Sequence, residues 1–350
     1  FASIVRRKGK PVILLVNKAE GRRGFDNVHE AYELGLGDPI AFSAEHGEGT
    51  DDLYHAILNA SSAGSDGETP TRLQQEAEAG QPVRLAIIGR PNVGKSTLVN
   101  ALLGEERMLT GPEAGITRDA IATDWSFEGS PIRLWDTAGL RRKARVHDRL
   151  EKLSVTDALR AIRFSEVVIL VVDAEAPFEK QDLQIADLIE QEGRALVIAV
   201  NKWDRVENKT KRLRELQLDL EESLPQLRGL PMIAVSAIRR QNLDKLMRVV
   251  LSAYELWNKR VSTAALNRWL EEMLERHPPP APGGRRIKIR YMTQSNARPP
   301  TFVIFCSNAK DLPESYTRYL VNGLRDTFGF PGTPLRLVLR QTKNPYVTKR

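Results

Sequence analysis

The chain has 350 residues, of which 41% are apolar and 28% charged, and it carries a net charge of +7 with a single cysteine. This length and composition are typical of a globular protein with two or three domains. They exclude a disulfide framework, and no apolar run approaches the roughly 20 residues of a membrane-spanning helix. We therefore expect no membrane span, no disulfide partner and a cytoplasmic location.

The first 60 residues contain one incomplete copy of a sequence pattern that occurs twice in the chain. An apolar run at 11–16 leads into Asn-Lys-Ala-Glu, and a second at 39–42 leads into Ser-Ala. The same patterns return at 195–204 and 231–237, which indicates a repeated domain. The first copy contains no phosphate-binding loop. We therefore expect it to be the C-terminal part of a domain that begins before the first residue, and to hold no triphosphate.

A polar segment at 61–82, rich in Ser, Gly and Glu, predicts a linker. After it, residues 83–261 alternate strand-like apolar runs with helical patterns. Such an alternation predicts a mostly parallel sheet that is covered by helices on both faces.

The strand-like run 83–88 is followed directly by Gly-Arg-Pro-Asn-Val-Gly-Lys-Ser at 89–96, and then by a helical pattern at 97–103. Gly89 and Gly94 let the backbone curl so that successive N–H groups point into one concavity, and the helix adds its positive end. In such a loop the lysine reaches the β- and γ-phosphates, and the serine hydroxyl ligates Mg²⁺. The pattern predicts a nucleoside triphosphate site.

A second strand-like run, 132–135, ends in Asp136-Thr137-Ala138-Gly139, a D-x-x-G motif. We expect its aspartate to hold Mg²⁺ through a water molecule and its glycine N–H to meet the γ-phosphate.

Two later runs end in base-recognition motifs, Asn201-Lys202-Trp203-Asp204 and Ser236-Ala237. A carboxylate at the fourth position of the first motif can accept N1–H and the exocyclic amine of guanine. Adenine offers no such donor pair, so the pocket should reject it. The spacing of the four motifs resembles that of the translation-factor-related GTPases, which makes GTP the expected nucleotide.

The C-terminal segment, 262–350, has 15 Lys and Arg against 6 Asp and Glu. This surplus of nine suggests a basic end that faces an acidic polymer, although a well-solvated surface is the alternative. The pattern predicts a small α+β layer with helices at 263–276 and 314–328 and strands at 286–292, 301–307 and 335–340.

Within the first of these strands, cations alternate with apolar residues. We expect Arg286, Lys288 and Arg290 to share an exposed face, and residues 287, 289 and 291 to face the core. The later Gly329-Phe330-Pro331-Gly332 has the letters of a KH G-x-x-G loop. Because it precedes the last strand, we expect a turn.

Tandem GTPase domains followed by a basic α+β domain resemble one family, the bacterial double-GTPase Der, also called EngA. The resemblance covers nearly the whole chain and includes Gly115-Ile116-Thr117-Arg118-Asp119 and Phe330-Pro331-Gly332-Thr333-Pro334. It implies an α/β fold with a doubly wound P-loop GTPase sheet, present as one partial and one complete copy, and a C-terminal KH-like α+β domain. The implied domains are 1–60 (partial GTPase copy), 61–82 (linker), 83–261 (complete GTPase copy) and 262–350 (KH-like, RNA-binding).

The resemblance also implies a function. It points to a GTP-binding and GTP-hydrolysing factor in late biogenesis of the large (50S) ribosomal subunit, with GTP/GDP, Mg²⁺ and K⁺ as cofactors. Ribosomal RNA and the large subunit are the implied partners. A signalling or tRNA-modification GTPase with protein partners is one alternative, and an RNA-binding module that its GTPase part only stabilises is another.

The implied roles fall into three groups. The catalytic residues are Lys95, Thr117, Asp136 and Gly139, and the Mg²⁺ ligands are Ser96, Thr117 and Asp136. The nucleotide-binding residues are Gly89, Arg90, Pro91, Asn92, Val93, Gly94, Lys95, Ser96, Thr97, Asp136, Thr137, Ala138, Gly139, Leu140, Asn201, Lys202, Trp203, Asp204, Ser236 and Ala237, with Asn17, Lys18 and Glu20 in the first copy.

Two positions stand out among these. Leu140 follows the D-x-x-G motif, where many Ras-like GTPases have a glutamine that orients water, so intrinsic hydrolysis should be slow. Resemblance to related GTPases suggests that Asn92 helps to bind K⁺, with stabilisation of the turn as its alternative role. A basic cluster at 141–145 is either a solvated loop or an RNA contact.

Overall fold

A computed structural model describes residues 82–104, 122–135, 155–280 and 287–341, together with 12–19, 39–44 and single positions between 5 and 57. The chain divides into two compact units, residues 1–254 and 255–350. The predicted linker and the basic cluster at 141–145 lie outside the described residues, except that Pro82 is described.

The first unit contains two sheets. The smaller one is a parallel pair, β1 (Leu15–Val16) and β2 (Ile40–Ala41). The strands of the larger one are β3 (Val83–Ile88), β4 (Ala122–Phe127), β5 (Ser130–Trp135), β6 (Val167–Asp173), β7 (Ala195–Asn201) and β8 (Met232–Ala234). Their order is β4-β5-β3-β6-β7-β8, and every pair is parallel except the antiparallel edge pair of β4 and β5.

Helices alternate with these strands along the chain. They are α1 (Lys95–Leu103), α2 (Val155–Phe164), α3 (Lys180–Gln191), α4 (Lys209–Ser223) and α5 (Leu243–Asn258). Every residue of β7 is buried, and in β6 only the last residue is partly exposed. Strands that are buried on both faces read as continuous apolar runs, which is how the sequence presents them. The predicted doubly wound, mostly parallel sheet is confirmed.

The second unit is the predicted α+β layer. Its elements are α6 (Thr263–Arg276), β9 (Ile289–Asn296), β10 (Thr301–Cys306), α7 (Glu314–Phe328) and β11 (Arg336–Gln341). The sheet order is β11-β10-β9, with β10 parallel to β11 and antiparallel to β9. Side chains of both helices share one apolar core with the sheet. Both helices have their predicted bounds, whereas β9 lies further along the chain than the predicted 286–292.

A β-bulge interrupts the pairing of β9 with β10. Phe305 of β10 pairs with Tyr291, and the next residue, Cys306, pairs with Ile289. Arg290 is therefore an extra residue on β9. A bulge of this kind breaks the strict alternation of side chains between the two faces of a strand.

The bulge changes which side chains face the core. Tyr291 is 42% exposed and Met292 is fully buried, so the expectation that Tyr291 faces the core was wrong. The alternation predicted for an unbroken strand does not continue through an inserted residue. Lys288 and Arg290 are exposed as expected, and Arg286 lies outside the described residues.

The segment Gly329–Gly332 is a turn, as predicted from its place before the last strand. Gly329 ends α7 in the left-handed conformation, with φ of 64°. One guanidinium nitrogen of Arg325 donates to the carbonyl oxygens of Phe330 and Thr333, each at 2.9 Å. Phe330 is fully buried and meets Phe302 edge to face, with 6.0 Å between ring centroids.

Replacing Phe330 with alanine should destabilise the second unit by about 3–5 kcal/mol, because the change leaves a cavity between the turn and the sheet. Hydrogen exchange at the β10 amides measures this as a lower free energy of opening. Leu218→Ala on α4 is the control, since Leu218 is 56% exposed and should change stability by less than about 0.5 kcal/mol. Unchanged β10 protection in Phe330→Ala would contradict the packing role of this ring.

Candidate nucleotide site

The predicted phosphate loop connects β3 to α1 and lies against two neighbouring strands. A Cβ atom on Gly89 would come within 2.3 Å of the Val171 carbonyl oxygen. Gly94 has φ of 93°, and a Cβ there would come within 2.3 Å of the Asn201 side-chain nitrogen. Both positions therefore require glycine, because neighbouring atoms leave no room for a Cβ atom. Gly94 is required also because its backbone has a positive φ. The sequence motif and the folded loop agree at these positions.

The lysine of the loop folds back over it. Lys95 is the first residue of α1, and its Nζ donates to the Arg90 carbonyl oxygen at 2.5 Å. Asn92 lies at the tip of the loop with φ of 62°, and its side chain is exposed. Ser96 is half-buried in the first turn of the helix. The ammonium group, the hydroxyl and the N-terminal amides of α1 are thus held together at one end of β3.

Arg90 anchors the loop to the beginning of α3. Its Nε donates to a carboxylate oxygen of Asp182 at 2.9 Å, and its Nη2 donates to the Ala176 carbonyl oxygen at 2.5 Å. A third contact pairs Nη1 with Glu179. Asp182 is fully buried; burial raises the pKa of its carboxyl, and the hydrogen bond from Arg90 opposes that rise.

The acidic partners of Arg90 were not predicted from the sequence. Glu179 and Asp182 form the capping box of α3, in which each side chain accepts a hydrogen bond from the backbone of the other residue. A capping pattern can be recognised in the local sequence, but the pairing of Asp182 with Arg90, 92 positions away, cannot be recognised there.

Asn201, at the end of β7, joins the phosphate loop to the Ser-Ala motif. Its Nδ2 donates to the Val93 carbonyl oxygen at 2.8 Å, and its Oδ1 accepts from the Ala237 N–H at 3.0 Å. The side chain is almost fully buried, with the residue 3% exposed. Both polar ends of the amide are therefore used, and three segments that are distant in sequence meet at one residue.

Lys202 and Trp203 shape the backbone after β7. Lys202 adopts the left-handed conformation with φ of 64°, and its Nζ donates to Asp173 at 2.5 Å. The N–H of Trp203 donates to the Val235 carbonyl oxygen at 3.1 Å, and its side chain is buried in the core. Asp173 was not predicted as a site residue. The sequence feature that could have indicated its role is a carboxylate directly after the buried apolar run of β6.

Asp204 is the carboxylate of the base-recognition motif, and the structure places it beside Ser236. The Ser236 hydroxyl donates to Asp204 Oδ1 at 2.6 Å, and the Arg239 N–H donates to the same hydroxyl oxygen at 3.2 Å. The hydrogen bond from Ser236 holds the pKa of the Asp204 carboxyl below its ordinary value. The group is thus ionised at neutral pH and can accept two N–H donors from a ligand.

The first copy repeats this backbone arrangement. Asn17 Oδ1 accepts from the Ala44 N–H at 3.1 Å, as Asn201 does from Ala237, and Lys18 has φ of 60°. The Phe42 N–H donates to the Val16 carbonyl oxygen at 2.9 Å, which matches the bond from Val235 to Val200 at 2.8 Å. Glu20 lies outside the described residues.

The structure therefore brings together the loop 89–97 and the motifs 201–204 and 236–237. The remaining predicted site residues lie outside the part of the chain that the structure describes: Glu20, Thr117, Asp136, Thr137, Ala138, Gly139 and Leu140. Within the described part, no helix combines the length and the apolar character needed to cross a membrane.

Three family models match segments of the chain. Residues 84–202 match a 50S ribosome-binding GTPase, and residues 154–255 match the elongation factor Tu GTP-binding domain. Residues 260–340 match the KH-domain-like C-terminal part of EngA bacterial GTPase enzymes. The matches follow the boundary between the two compact units.

Relatives and solved structures were compared as well. The GTPase Der of Bradyrhizobium sp. strain BTAi1 is 55% identical over all of this chain and 77% of its own length. That of Parvibaculum lavamentivorans is 54% identical over all of this chain and 78% of its own. Aquifex aeolicus Era bound to GDP and AlF₄⁻ is 20% identical over 74% of this chain and 93% of its own, with a TM-score of 0.37.

The identity to these Der proteins extends over the complete chain, and the family models cover both the sheet with the phosphate loop and the C-terminal α+β unit. The chain belongs to the GTPase Der (EngA) family, as a GTP-binding GTPase with a P-loop α/β fold and a C-terminal KH-like domain.

Proposed function

We propose that this protein is a GTP-hydrolysing factor that acts in late assembly of the large ribosomal subunit. One observation carries the proposal: a single chain joins a guanine-nucleotide pocket to a KH-like unit with a surplus of nine positive charges. The family model matched at 84–202 is named for binding to the 50S subunit, which supports the same partner. In this proposal 83–261 is the enzyme, 262–350 contacts ribosomal RNA, and 1–60 belongs to the first GTPase copy.

The phosphates fit the loop because two glycines leave a cradle that side chains would fill. With Gly89 and Gly94 in place, the backbone amides of 92–97 can surround the β- and γ-phosphates. Lys95 then supplies a cation from the start of α1. Its bond to the Arg90 carbonyl keeps the ammonium group over the loop. Phosphoryl transfer requires mainly such positioning and charge neutralisation from the protein.

The proposed Mg²⁺ ligands are oxygen donors, which suit a hard cation. Ser96 supplies a hydroxyl from the first turn of α1, and Thr117 and Asp136 complete the set by motif. When bound, Mg²⁺ neutralises charge that develops on the phosphates. The Gly139 N–H and Thr117 would sense the γ-phosphate, so that its loss on hydrolysis would release the segments that carry these two residues.

The guanine base is assigned to the second half of the pocket. Asp204 would accept N1–H and the exocyclic amine, and the Ser236-Ala237 backbone would meet O6. Asn201, Lys202 and Trp203 hold these groups in place. Asn17, Lys18 and Glu20 are the corresponding proposal for the first copy.

Guanine selectivity should depend on Asp204. Asp204→Asn places an amide where guanine presents donors, and it should weaken GTP binding about 100-fold or more, since two charge-assisted hydrogen bonds are lost. Xanthosine triphosphate, which has an acceptor at that position, should bind better to the variant than to the parent. Calorimetry with both nucleotides measures this. Asp219→Asn on the exposed face of α4 is the matched control. Equal GTP affinity in parent and Asp204→Asn would refute the pocket assignment.

Hydrolysis should require K⁺, because Leu140 cannot orient water and the exposed Asn92 side chain can help to coordinate a cation beside the phosphates. Steady-state turnover in KCl should exceed that in NaCl of equal ionic strength about tenfold or more, which corresponds to about 1.4 kcal/mol of barrier. Asn92→Ala should remove the difference, and Asn100→Ala on α1 should keep it. Equal rates of the parent in both salts would rule out the K⁺ mechanism.

Nucleotide-dependent binding to the large ribosomal subunit separates the proposal from its alternative, a signalling or tRNA-modification GTPase. The protein should sediment with purified large subunits in the presence of a non-hydrolysable GTP analogue, and less in GDP. Asp204→Asn should lose this response to the GTP analogue and regain it with the xanthosine analogue. Absence of the protein from the subunit fraction in both nucleotide states would contradict the proposal and favour the alternative.

A further inference from the structure

Two aromatic rings are stacked on an outer part of the C-terminal sheet. The rings of Tyr291 and Phe305 are nearly parallel, at 9°, with 4.4 Å between their centroids. The two residues are paired across β9 and β10, so the direction of stacking runs across the strands. Because β9 is an edge strand of its sheet, Phe305 covers one face of the Tyr291 ring and the other face is turned toward the edge. Tyr291 is 42% exposed.

The surroundings of this ring are strongly basic. Arg290 is the extra residue of the bulge, directly beside Tyr291, and both side chains are exposed together with that of Lys288. The segment 277–310 contains six Lys and Arg and not a single Asp or Glu. An exposed aromatic ring with two exposed cations beside it, in a segment without acidic residues, fits a polyanion that carries flat rings.

The edge of β9 is already hydrogen-bonded at the neighbouring residue. The Asn267 side chain, from α6, accepts from the Met292 N–H at 2.9 Å and donates to the Met292 carbonyl oxygen at 3.0 Å. A peptide that added to the sheet as a further strand would have to displace both bonds. The structure therefore favours stacking on the Tyr291 ring over strand addition.

We propose that this edge is a stacking site for an unpaired base of single-stranded RNA. The base stacks on the outer face of Tyr291, which Phe305 supports from behind, and Arg290 and Lys288 neutralise the adjacent phosphates. A duplex does not fit this site, since its bases are already stacked on one another. The inference rests on the proposed function because it requires the second unit to contact RNA. It adds which residues make the contact and that the RNA is single-stranded.

The test uses the full chain and a fluorescein-labelled oligouridylate of about 12 nucleotides, a length within the range of single-strand binding sites. Fluorescence anisotropy over a KCl titration gives the affinity and its salt dependence. Tyr291→Ala should weaken binding roughly 5- to 150-fold, the range measured for loss of one base–aromatic stack. Tyr291→Phe keeps the ring and should bind like the parent.

The salt dependence separates stacking from charge. Lys288→Ala and Arg290→Ala should each lower the slope of log affinity against log salt by about 0.7, whereas Tyr291→Ala should leave the slope unchanged. An oligomer of the same length with abasic sites in place of the bases should bind the parent and Tyr291→Ala equally. GTP turnover should be the same in all variants. Hydrogen exchange at the β10 amides should be unchanged in Lys288→Ala and Arg290→Ala, whose side chains are exposed, and only modestly faster in Tyr291→Ala, which loses its ring pair with Phe305.

The outcomes keep this inference distinct from the proposed function. If the parent binds the oligouridylate and Tyr291→Ala binds it equally well, the stacking site is wrong and RNA binding by the second unit stands. If the parent binds neither the oligouridylate nor ribosomal RNA, both fail. If Tyr291→Ala reduces sedimentation with large subunits while oligouridylate affinity is unchanged, the ring contacts protein and the RNA site is refuted.

Discussion

The candidate nucleotide site depends on the two hydrogen bonds of a single buried amide, that of Asn201. One end donates to the phosphate loop at Val93 and the other accepts from the Ser-Ala motif at Ala237. An aspartate at this position would lack the donor, and an apolar residue would leave two buried backbone groups unpaired, at a cost of about 1–3 kcal/mol each. The amide also explains why Gly94 has no room for a side chain. The phosphate and base halves of the pocket are therefore held as one piece.

A second anchor acts on the opposite side of the phosphate loop. Arg90 carries the charge that buried Asp182 requires, so the ion pair satisfies a carboxylate that could not remain ionised alone. Because Asp182 also caps α3, the loop is tied to the start of that helix as well as to the end of β7. The loop is thus fixed from two directions, and the residues that fix it are distinct from those assigned to phosphate contact.

The sequence predicted what depends on local pattern and missed what depends on distant partners. The apolar runs of β6 and β7 indicated a buried parallel sheet, and the bounds of α6 and α7 agree with those predicted from the sequence. The partners of Arg90 and Lys202 could not be predicted, because strand order brings them together. The bulge at Arg290 was not predicted because it is defined by the pairing of β9 with β10, and the sequence around Arg290 has no local signal for it.

The first copy repeats part of the base-recognition backbone of the second copy. Asn17 accepts the same hydrogen bond from a Ser-Ala strand end as Asn201 does, and Lys18 shares the left-handed conformation of Lys202. Ala19 stands where the second copy buries Trp203, so the large ring contributes to core packing more than to the turn. The N–H of Ala19 donates to the Phe42 carbonyl oxygen at 3.0 Å, as that of Trp203 does to the Val235 carbonyl oxygen at 3.1 Å. The backbone turn after the strand therefore has the same hydrogen bond with a small or a large side chain at its third position.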